Sequence, residues 1–454
     1  MIMVADSLPG LKVVLGRCGL KVSAAAMAAR LIAAFTLHSG RMSCLRAATS
    51  VRGDSRHRAQ VGRFLAKWSS GLSCVGDWLR AELLRYETSL GTYVFVVDAT
   101  LCGQAGKLTE NTYSTGNRQR RLRKGRRYGG YRHHRRSCHA FTAGLLLTPS
   151  GLRIPVLKPH YTQSYCKTHG ITHRTTAEVA ADMVRGLKVP AGARVIVVGD
   201  TAYESWVVRE ACEARGFRWI IPCNPERVLE GCQGKRVRVR SLMDDRSAWS
   251  WQTIRLVPGQ GEFAAQRRLS RHRIGSKAKS RTYRVHEESR RIRSIGAVRI
   301  VFSTTKPDSK TASLDDTKIL LTNASDLSVR EIVDIYTLRW QIELFFKELK
   351  SSLGFHQYRF KRFTAVEGWA SAAITTFLYL EWYRAWQLAS ARLSAADKAW
   401  WLPQRIHGLC QAVRLASERS ELAYVAKRLE TPGGVRRMKA LLERGFAAEY
   451  RAAL

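Results

Sequence analysis

Three carboxylates in this sequence sit where chemistry could use them. Asp98 follows the apolar run Thr92 to Val97 (TYVFVV), and Asp200 follows Val195 to Val198 and Gly199. Runs this rich in Val, Ile and Phe read as buried strands. A carboxylate at the end of a buried strand is held rigidly and faces the cleft where the strands stop. Glu343 lies mid-helix, well downstream. Carboxylate oxygens suit the hard cations Mg²⁺ and Mn²⁺. Two such ions about 3.5–4 Å apart can activate a water and stabilise the leaving oxygen in phosphodiester cleavage. One Asp after a strand says little, since turns favour Asp. Two, followed by a helical Glu in suitable surroundings, say much more.

Those surroundings are distinctive. Tyr336, Arg339, Glu343 and Lys350 stand at offsets 0, 3, 7 and 14 along the helical stretch. At about 100° per residue they fall within roughly 60° of one another on one face. Lys347 joins the stripe, four residues beyond Glu343. The neighbouring face carries Ile335, Leu338, Ile342, Phe346, Leu349 and Leu353, enough to bury the helix. A plain surface stripe with a Glu343–Lys347 pair is the ordinary alternative, worth a few tenths of a kcal/mol. It does not account for a hydroxyl, a guanidinium, a carboxylate and two ammonium groups on one face. A phosphate clamp around a metal-binding Glu does, with Arg offering bidentate contact and Lys a point charge.

The elements that must position these groups can be read in outline. Residues 1–90 read as helices, over Ala24–Leu37, Ser43–Ser50, Ser55–Trp68 and Val75–Tyr86. Short helices joined near Gly53 suit a helix-turn-helix, with Arg52, Arg56, Arg58 and Arg63 on or near its third helix. A helical bundle with a basic face is the alternative. Residues 91–224 read as the first part of a mixed α/β core. Strands over Phe141–Leu147 and Leu152–Leu157 flank a Thr148–Gly151 turn. A capping box at Thr175-x-x-Glu178 opens a helix. A helix over Tyr203–Arg215 and a strand over Phe217–Ile221 follow. Residues 225–316 read as a β-rich insertion, with short runs at Arg236–Val239, Trp249–Ile254, Arg281–His286 and Val298–Ser303. Residues 317–389 return to the core, with a strand at Lys318–Thr322. There Ser328-x-x-Glu331 opens one long helix to about Leu353. Residues 390–454 read as helical. The expected class is α/β, a mixed sheet flanked by helices.

Charge names the kind of partner. Lys and Arg number 76 against 36 Asp and Glu, a net charge of +40. Such an excess favours a polyanion, because neutralised phosphates release counterions. Arg118–Arg136, which includes Arg126 and Arg127, and Arg267–Arg299 are dense basic runs suited to DNA contact. A membrane partner is disfavoured. Ala24–Phe35 is too short to span and contains Arg30, and Val366–Ala389 carries Glu367, Glu381 and Arg384. No secretory signal is apparent. The ten cysteines form no CxxC pair and suit a reducing compartment. Cys166, His169 and His173 have spacing that could ligate zinc, with Cys138 and His139 upstream; a polar loop between a strand and a helix is the alternative.

The spacing Tyr336-x2-Arg339-x3-Glu343-x6-Lys350 resembles the Y-R-E-K signature of bacterial DDE insertion-sequence transposases. Asp200-Thr-Ala-Tyr203 resembles their second-Asp motif, and Asp98 stands where their first Asp would. The resemblance covers roughly residues 90–390. It implies an RNase H-like catalytic core interrupted by a β-rich insertion. It also implies that Asp98, Asp200 and Glu343 hold two Mg²⁺ ions, with Mn²⁺ as a substitute, while Tyr336, Arg339 and Lys350 contact phosphates near the cleaved end. Double-stranded DNA bearing terminal inverted repeats, a homodimer on paired ends and a bacterial, nucleoid-associated location are implied as well. Such enzymes often pass through a DNA hairpin with a flipped base stacked on an aromatic residue. Trp249, Trp251 and Trp340 are candidates, and no one of them matches. Two rival readings use the same residues: an RNase H-like nuclease or resolvase that cuts without joining, and a basic nucleic-acid-binding protein whose acids are structural.

Overall fold

The apolar runs pair into one mixed sheet of ten strands, with helices packed on it. The computed structural model describes residues 11–436 except 19–20, 38–41, 53–57, 89, 105–108, 117–134, 232–235, 258, 269–279, 392, 417–429 and 431–432. Arg56, Arg126, Arg127 and much of both basic runs lie outside the described residues.

The chain begins with α1 (Leu11–Arg17), α2 (Val22–Leu37), α3 (Cys44–Arg52) and α4 (Arg58–Arg85). Two helices were expected where α4 runs unbroken. Its buried residues explain this: Val61, Leu65, Leu72, Val75, Leu79 and Leu83 keep one helical stripe straight through Ser69-Ser70-Gly71. Tertiary packing of that stripe outweighs the weak local propensity of the Ser-Ser-Gly step.

Next come β1 (Thr92–Gln104), β2 (Tyr113–Gly116), β3 (Arg135–Leu147), β4 (Arg153–Pro159), α5 (Gln163–His169), α6 (Thr176–Arg185), β5 (Arg194–Val198), α7 (Trp206–Glu213) and β6 (Arg218–Pro222). The Thr148–Gly151 turn closes as expected, with Gly151 N donating to Thr148 O at 2.8 Å. Both halves of the Thr175–Glu178 capping box are made. Gln163–His169 is a helix rather than a polar loop. There Cys166 is buried, and His169 stacks on Tyr165 with its Nδ1 against the Tyr165 carbonyl.

The segment read as an insertion supplies β7 (Gln252–Leu256), α8 (Ala264–Arg267), β8 (Arg281–Ile292) and β9 (Gly296–Thr304), followed by β10 (Thr317–Thr322). It does not form a sheet of its own. The strand order is β2-β3-β1-β5-β6-β10-β9-β8-β7, with β4 on β3, so β7 to β9 lengthen the core sheet beyond β10. Arg236–Val239 yields only a single bridge, Val228 to Arg238, before a 3₁₀ turn.

The rest is helical: α9 (Val329–Thr337), α10 (Trp340–Ser351), α11 (Phe363–Ala389) and α12 (Ala395–Trp401). The Ser328–Glu331 capping box is complete, but the single long helix expected from it breaks at Leu338–Arg339. At the break Leu338 N bonds to Ile335 O at 2.9 Å and Arg339 N to Tyr336 O at 3.0 Å, the three-residue step of a 3₁₀ turn.

The N-terminal helices share the hydrophobic core with the sheet and with α11. Two glycines make the close approach possible. A Cβ on Gly368 of α11 would lie 2.3 Å from the Leu65 carbonyl oxygen of α4. One on Gly354, at φ +63°, would lie 2.4 Å from that of Met42. No helix among the described residues is long and apolar enough to cross a membrane.

Candidate active site

The sheet opens where β5 ends. β1 pairs with β5 in parallel from Thr92↔Arg194 to Val96↔Val198, and β5 stops there. β1 continues to Gln104 against β3, with Asp98 opposite Ala143. Asp98 therefore does not end its strand, as the sequence suggested. It lies mid-strand, two residues past the last parallel pair, where β5 no longer covers that edge of β1. Asp200 lies two residues past Val198, so the same register brings both acids to one opening.

Local hydrogen bonds fix each acid. The Ala99 N–H donates to Asp98 Oδ1 at 2.7 Å. The Ala202 N–H donates to Asp200 Oδ1 at 2.8 Å, and Asp200 thereby caps the 3₁₀ turn Thr201–Tyr203. That turn takes Tyr203, the first residue of the expected helix, and α7 starts at Trp206. Tyr203 is buried behind the acids; burial, then the charges of Asp98 and Asp200, push its hydroxyl well above the ordinary range.

Glu343 arrives from α10, which packs on β1. Arg339 joins the groups. Its Nη2 donates to Glu343 Oε1 at 2.6 Å, and its Nη1 reaches Asp98 Oδ2 at 3.4 Å. Glu343 is thus paired with the residue four before it rather than with Lys347, which is exposed. Tyr336 lies against Arg339, with its hydroxyl pushed up to about 12, mostly by burial. Lys350 sits further along β1 and donates to the Leu101 carbonyl at 3.0 Å. Tyr336, Arg339 and Glu343 thus meet at the opening, Lys350 lies beside Leu101 further along β1, and Lys347 stands apart.

Lys318 escaped notice in the sequence. Its Nζ lies 5.9 Å from the Tyr336 ring centroid, and burial, then Arg339, lower its pKa while Asp200 raises it. The available signal was a lone charge inside the buried strand TKILLT. Of the aromatic candidates, Trp249 is buried and stacked on His286, and Trp251 donates its Nε1–H to the Arg246 carbonyl. Trp340, beside Arg339, is 56% exposed.

Among the described residues, no three His, Cys, Asp or Glu side chains stand close enough to hold a metal ion as placed. This covers Cys166, His169 and His173. It covers the three acids too, while the Arg339 guanidinium spans Asp98 and Glu343. The donor chemistry at the opening nevertheless fits a divalent cation. The donors are carboxylate oxygens, and Asp98 is held above the usual carboxylate range by burial and by repulsion from Asp200 and Glu343, with the Ala99 N–H and Arg339 opposing. A crowd of like charges of this kind is relieved by a cation.

The same crowding sets a testable sign. Asp98 binds its proton more tightly folded than unfolded, so its ionisation costs stability. That cost is absent below the ordinary value of 3.8 and complete once pH has passed the raised folded value. Asp98→Asn should therefore raise the melting temperature of the metal-free protein at pH 7 and leave it unchanged near pH 3. A lowered melting temperature at pH 7 would contradict it.

A mixed sheet flanked by helices, with Asp98 on β1, Asp200 two residues past β5 and Glu343 on α10 near one opening, is consistent with an RNase H-like DDE domain. The family model of the transposase DDE domain matches residues 90–378, and the chain belongs to that family. It is accordingly an enzyme that binds DNA and catalyses its cleavage and strand transfer, in a family that uses divalent metal ions. No curated protein matches the chain.

Proposed function

We propose that the chain mobilises a bacterial insertion sequence by cut-and-paste transposition, with Asp98, Asp200 and Glu343 as the metal-binding catalytic acids. The observation that carries this reading is Arg339. It joins Asp98 of β1 to Glu343 of α10 at the open end of the sheet, within the Tyr336-x2-Arg339-x3-Glu343-x6-Lys350 pattern of the Y-R-E-K enzymes.

Bound at these carboxylates, Mg²⁺ or Mn²⁺ would activate the attacking oxygen and stabilise the leaving one. The chain's own groups do the rest. The carboxylates supply hard oxygen donors held by strand and helix. Arg339 neutralises them before a cation binds and is then free to take a phosphate in bidentate contact. Tyr336 and Lys350 extend the clamp along β1, Lys347 adds a solvent-facing charge, and Lys318 adds a cation beside Tyr336. Exposed Trp340 is the aromatic best placed to stack on a displaced base. Arg58 and Arg63, exposed on α4, suit residues 1–90 to reading terminal inverted repeats. Arg126 and Arg127 would contact DNA as well. Residues 390–454 would serve a dimer on paired ends in the bacterial cytoplasm.

The test uses a duplex carrying the DNA that flanks the coding sequence, pre-cut at the element end, with Mg²⁺ and a target plasmid. Joined end-plasmid product is expected, and only hydrolysed or nicked DNA would favour a nuclease.

A further inference from the structure

The break in the α9–α10 helix is held by a residue from a distant part of the chain. In a regular helix Leu338 N would bond to the Asp334 carbonyl. Here that carbonyl is occupied otherwise: the Thr337 hydroxyl donates to it at 2.6 Å and Arg267 Nη2 at 3.2 Å. The same Arg267 nitrogen donates to Thr337 Oγ1 at 2.9 Å and pairs with the Asp334 carboxylate. Arg267 also grips the far side of the break. Its carbonyl accepts from Gln341 Nε2 at 3.4 Å and from Arg405 Nη2 at 3.0 Å, and Arg405 also donates to Gln341 Oε1 at 3.1 Å.

The neighbours of Arg267 leave it little freedom. Gln266, buried, donates to the Thr92 carbonyl at 2.8 Å. Arg268, buried, donates to the Gly151 carbonyl at 2.8 Å and to Glu381 Oε1 at 2.6 Å. Arg268 adopts the left-handed conformation, φ +44°, which is costly without glycine and persists only where surroundings enforce it. Gly151 meets α8 so closely that a Cβ there would lie 2.4 Å from the Ala265 carbonyl oxygen. Three consecutive side chains thus pin one short segment to β1, to the helix break and to α11.

We propose that Arg267 is a positioning residue of the active site, holding the 3₁₀ break whose overwinding aims Arg339 at Asp98 and Glu343. A 3₁₀ step turns about 20° further per residue than an α step. A change of about that size over the two residues of the break decides whether the guanidinium spans both acids. Thr337 alone could bend the helix, since back-bonding threonines do so mildly. Its hydroxyl bonds back to the Asp334 carbonyl and accepts from Arg267, however, whereas Arg267 bonds on both sides of the break. This inference rests on the proposed roles of Arg339 and Glu343.

The experiment compares Arg267→Ala, Arg267→Lys and Thr337→Val in the full-length protein, using the flanking-DNA duplex left uncut at the element end, with Mg²⁺. Arg267→Ala is expected to slow first-strand nicking by about 10²-fold, the scale of an ångström-size misplacement. Duplex affinity should stay near parental, while the urea midpoint should fall because Asp334 loses its partly buried partner. Arg267→Lys, a point charge without the fork, should recover only part of the rate, and added guanidinium should raise that of Arg267→Ala. Thr337→Val should slow nicking less than Arg267→Ala, and it stands in if that variant does not fold. Fluorine NMR of fluorotryptophan-labelled protein, with the Trp340 line assigned by Trp340→Phe, should show that line shifted in Arg267→Ala. Parental nicking in Arg267→Ala, or an unmoved Trp340 line in it, overturns the inference; if Arg267→Ala does not fold, parental nicking in Thr337→Val overturns it. A parallel Glu343→Gln control separates the two levels. If that variant still cuts, the reading of the site fails; if it is dead while the Arg267 variants cut normally, only the positioning role fails.

Discussion

Glu343→Gln is expected to lower metal-dependent cleavage by at least about 10³-fold, a loss of roughly 4 kcal/mol of transition-state stabilisation. The substitution preserves volume and removes the charge. It takes one hard anionic donor from the opening and leaves Arg339 with Asp98 alone. The fold should scarcely notice. The Arg339–Glu343 pair is 24% and 33% exposed, and pairs in that range contribute about 0–1 kcal/mol. DNA binding should also persist with its steep salt dependence, because that arises from the many Lys and Arg contacts to phosphate and not from an acid. Gel-shift titrations at several salt concentrations, a urea melt and a cleavage assay on one preparation test all three statements. Cleavage at the parental rate would remove Glu343 from the site.

Glu381→Gln is expected to cost about 3–5 kcal/mol of folding stability, the scale seen when one partner of a buried ion pair is removed. Glu381 is fully buried on α11. Its Oε1 accepts from Arg268 Nη1 at 2.6 Å and from Arg153 Nε at 3.1 Å, and Arg384 Nε lies 3.5 Å from its Oε2. Burial alone would raise its pKa, but Arg268, Arg153 and Arg384 outweigh burial and hold it near 2. Neutralising it leaves those guanidinium groups in the interior with Glu348 as the nearest acid, bonded to Arg153 Nη1 at 2.7 Å. The strain is already visible: burial, then Arg268, push Arg384 down to about 9. Domains of this kind are stable by only about 5–15 kcal/mol, so the variant should show a much lower urea midpoint or fail to accumulate. The pH dependence has a definite sign. Glu381's folded value lies below its ordinary 4.5, so its contribution is complete above that value and is lost as pH falls towards about 2. A shift under about 1 kcal/mol at pH 7 would show that the arginines find other partners.

These two residues differ in how far the sequence betrayed them. Glu343 announced itself through the stripe of Tyr, Arg and Lys around it. Glu381 did not: in sequence it marked Val366–Ala389 as too charged to span a membrane, and nothing there pointed to Arg153 and Arg268, 228 and 113 residues away. The spacing of Cys166, His169 and His173 left a zinc site and a polar loop both open, and it did not reveal the helix Gln163–His169 that buries Cys166.

By itself the sequence determined the local periods and stops. It showed β1 and β5 as buried strands with Asp98 and Asp200 at or beyond their apolar runs, the two capping boxes, and the basic character that calls for a polyanion. Such features depend on residues within a few positions of one another, so one-dimensional patterns carry them. Tertiary structure alone decided the rest. It continued β1 past Asp98, because β3 pairs on after β5 ends. It joined the insertion's strands to the core sheet through β10. It fused two expected helices into α4 along a stripe that needed α11 to cover it. It also broke the helix before Glu343, because Arg267, 67 residues upstream of Asp334, takes the bonds a regular helix would use. Which of its neighbours Glu343 engages is a consequence of that contact. The sequence placed a guanidinium, two ammonium groups and a carboxylate on one face; only packing chose Arg339 as the cation between the acids.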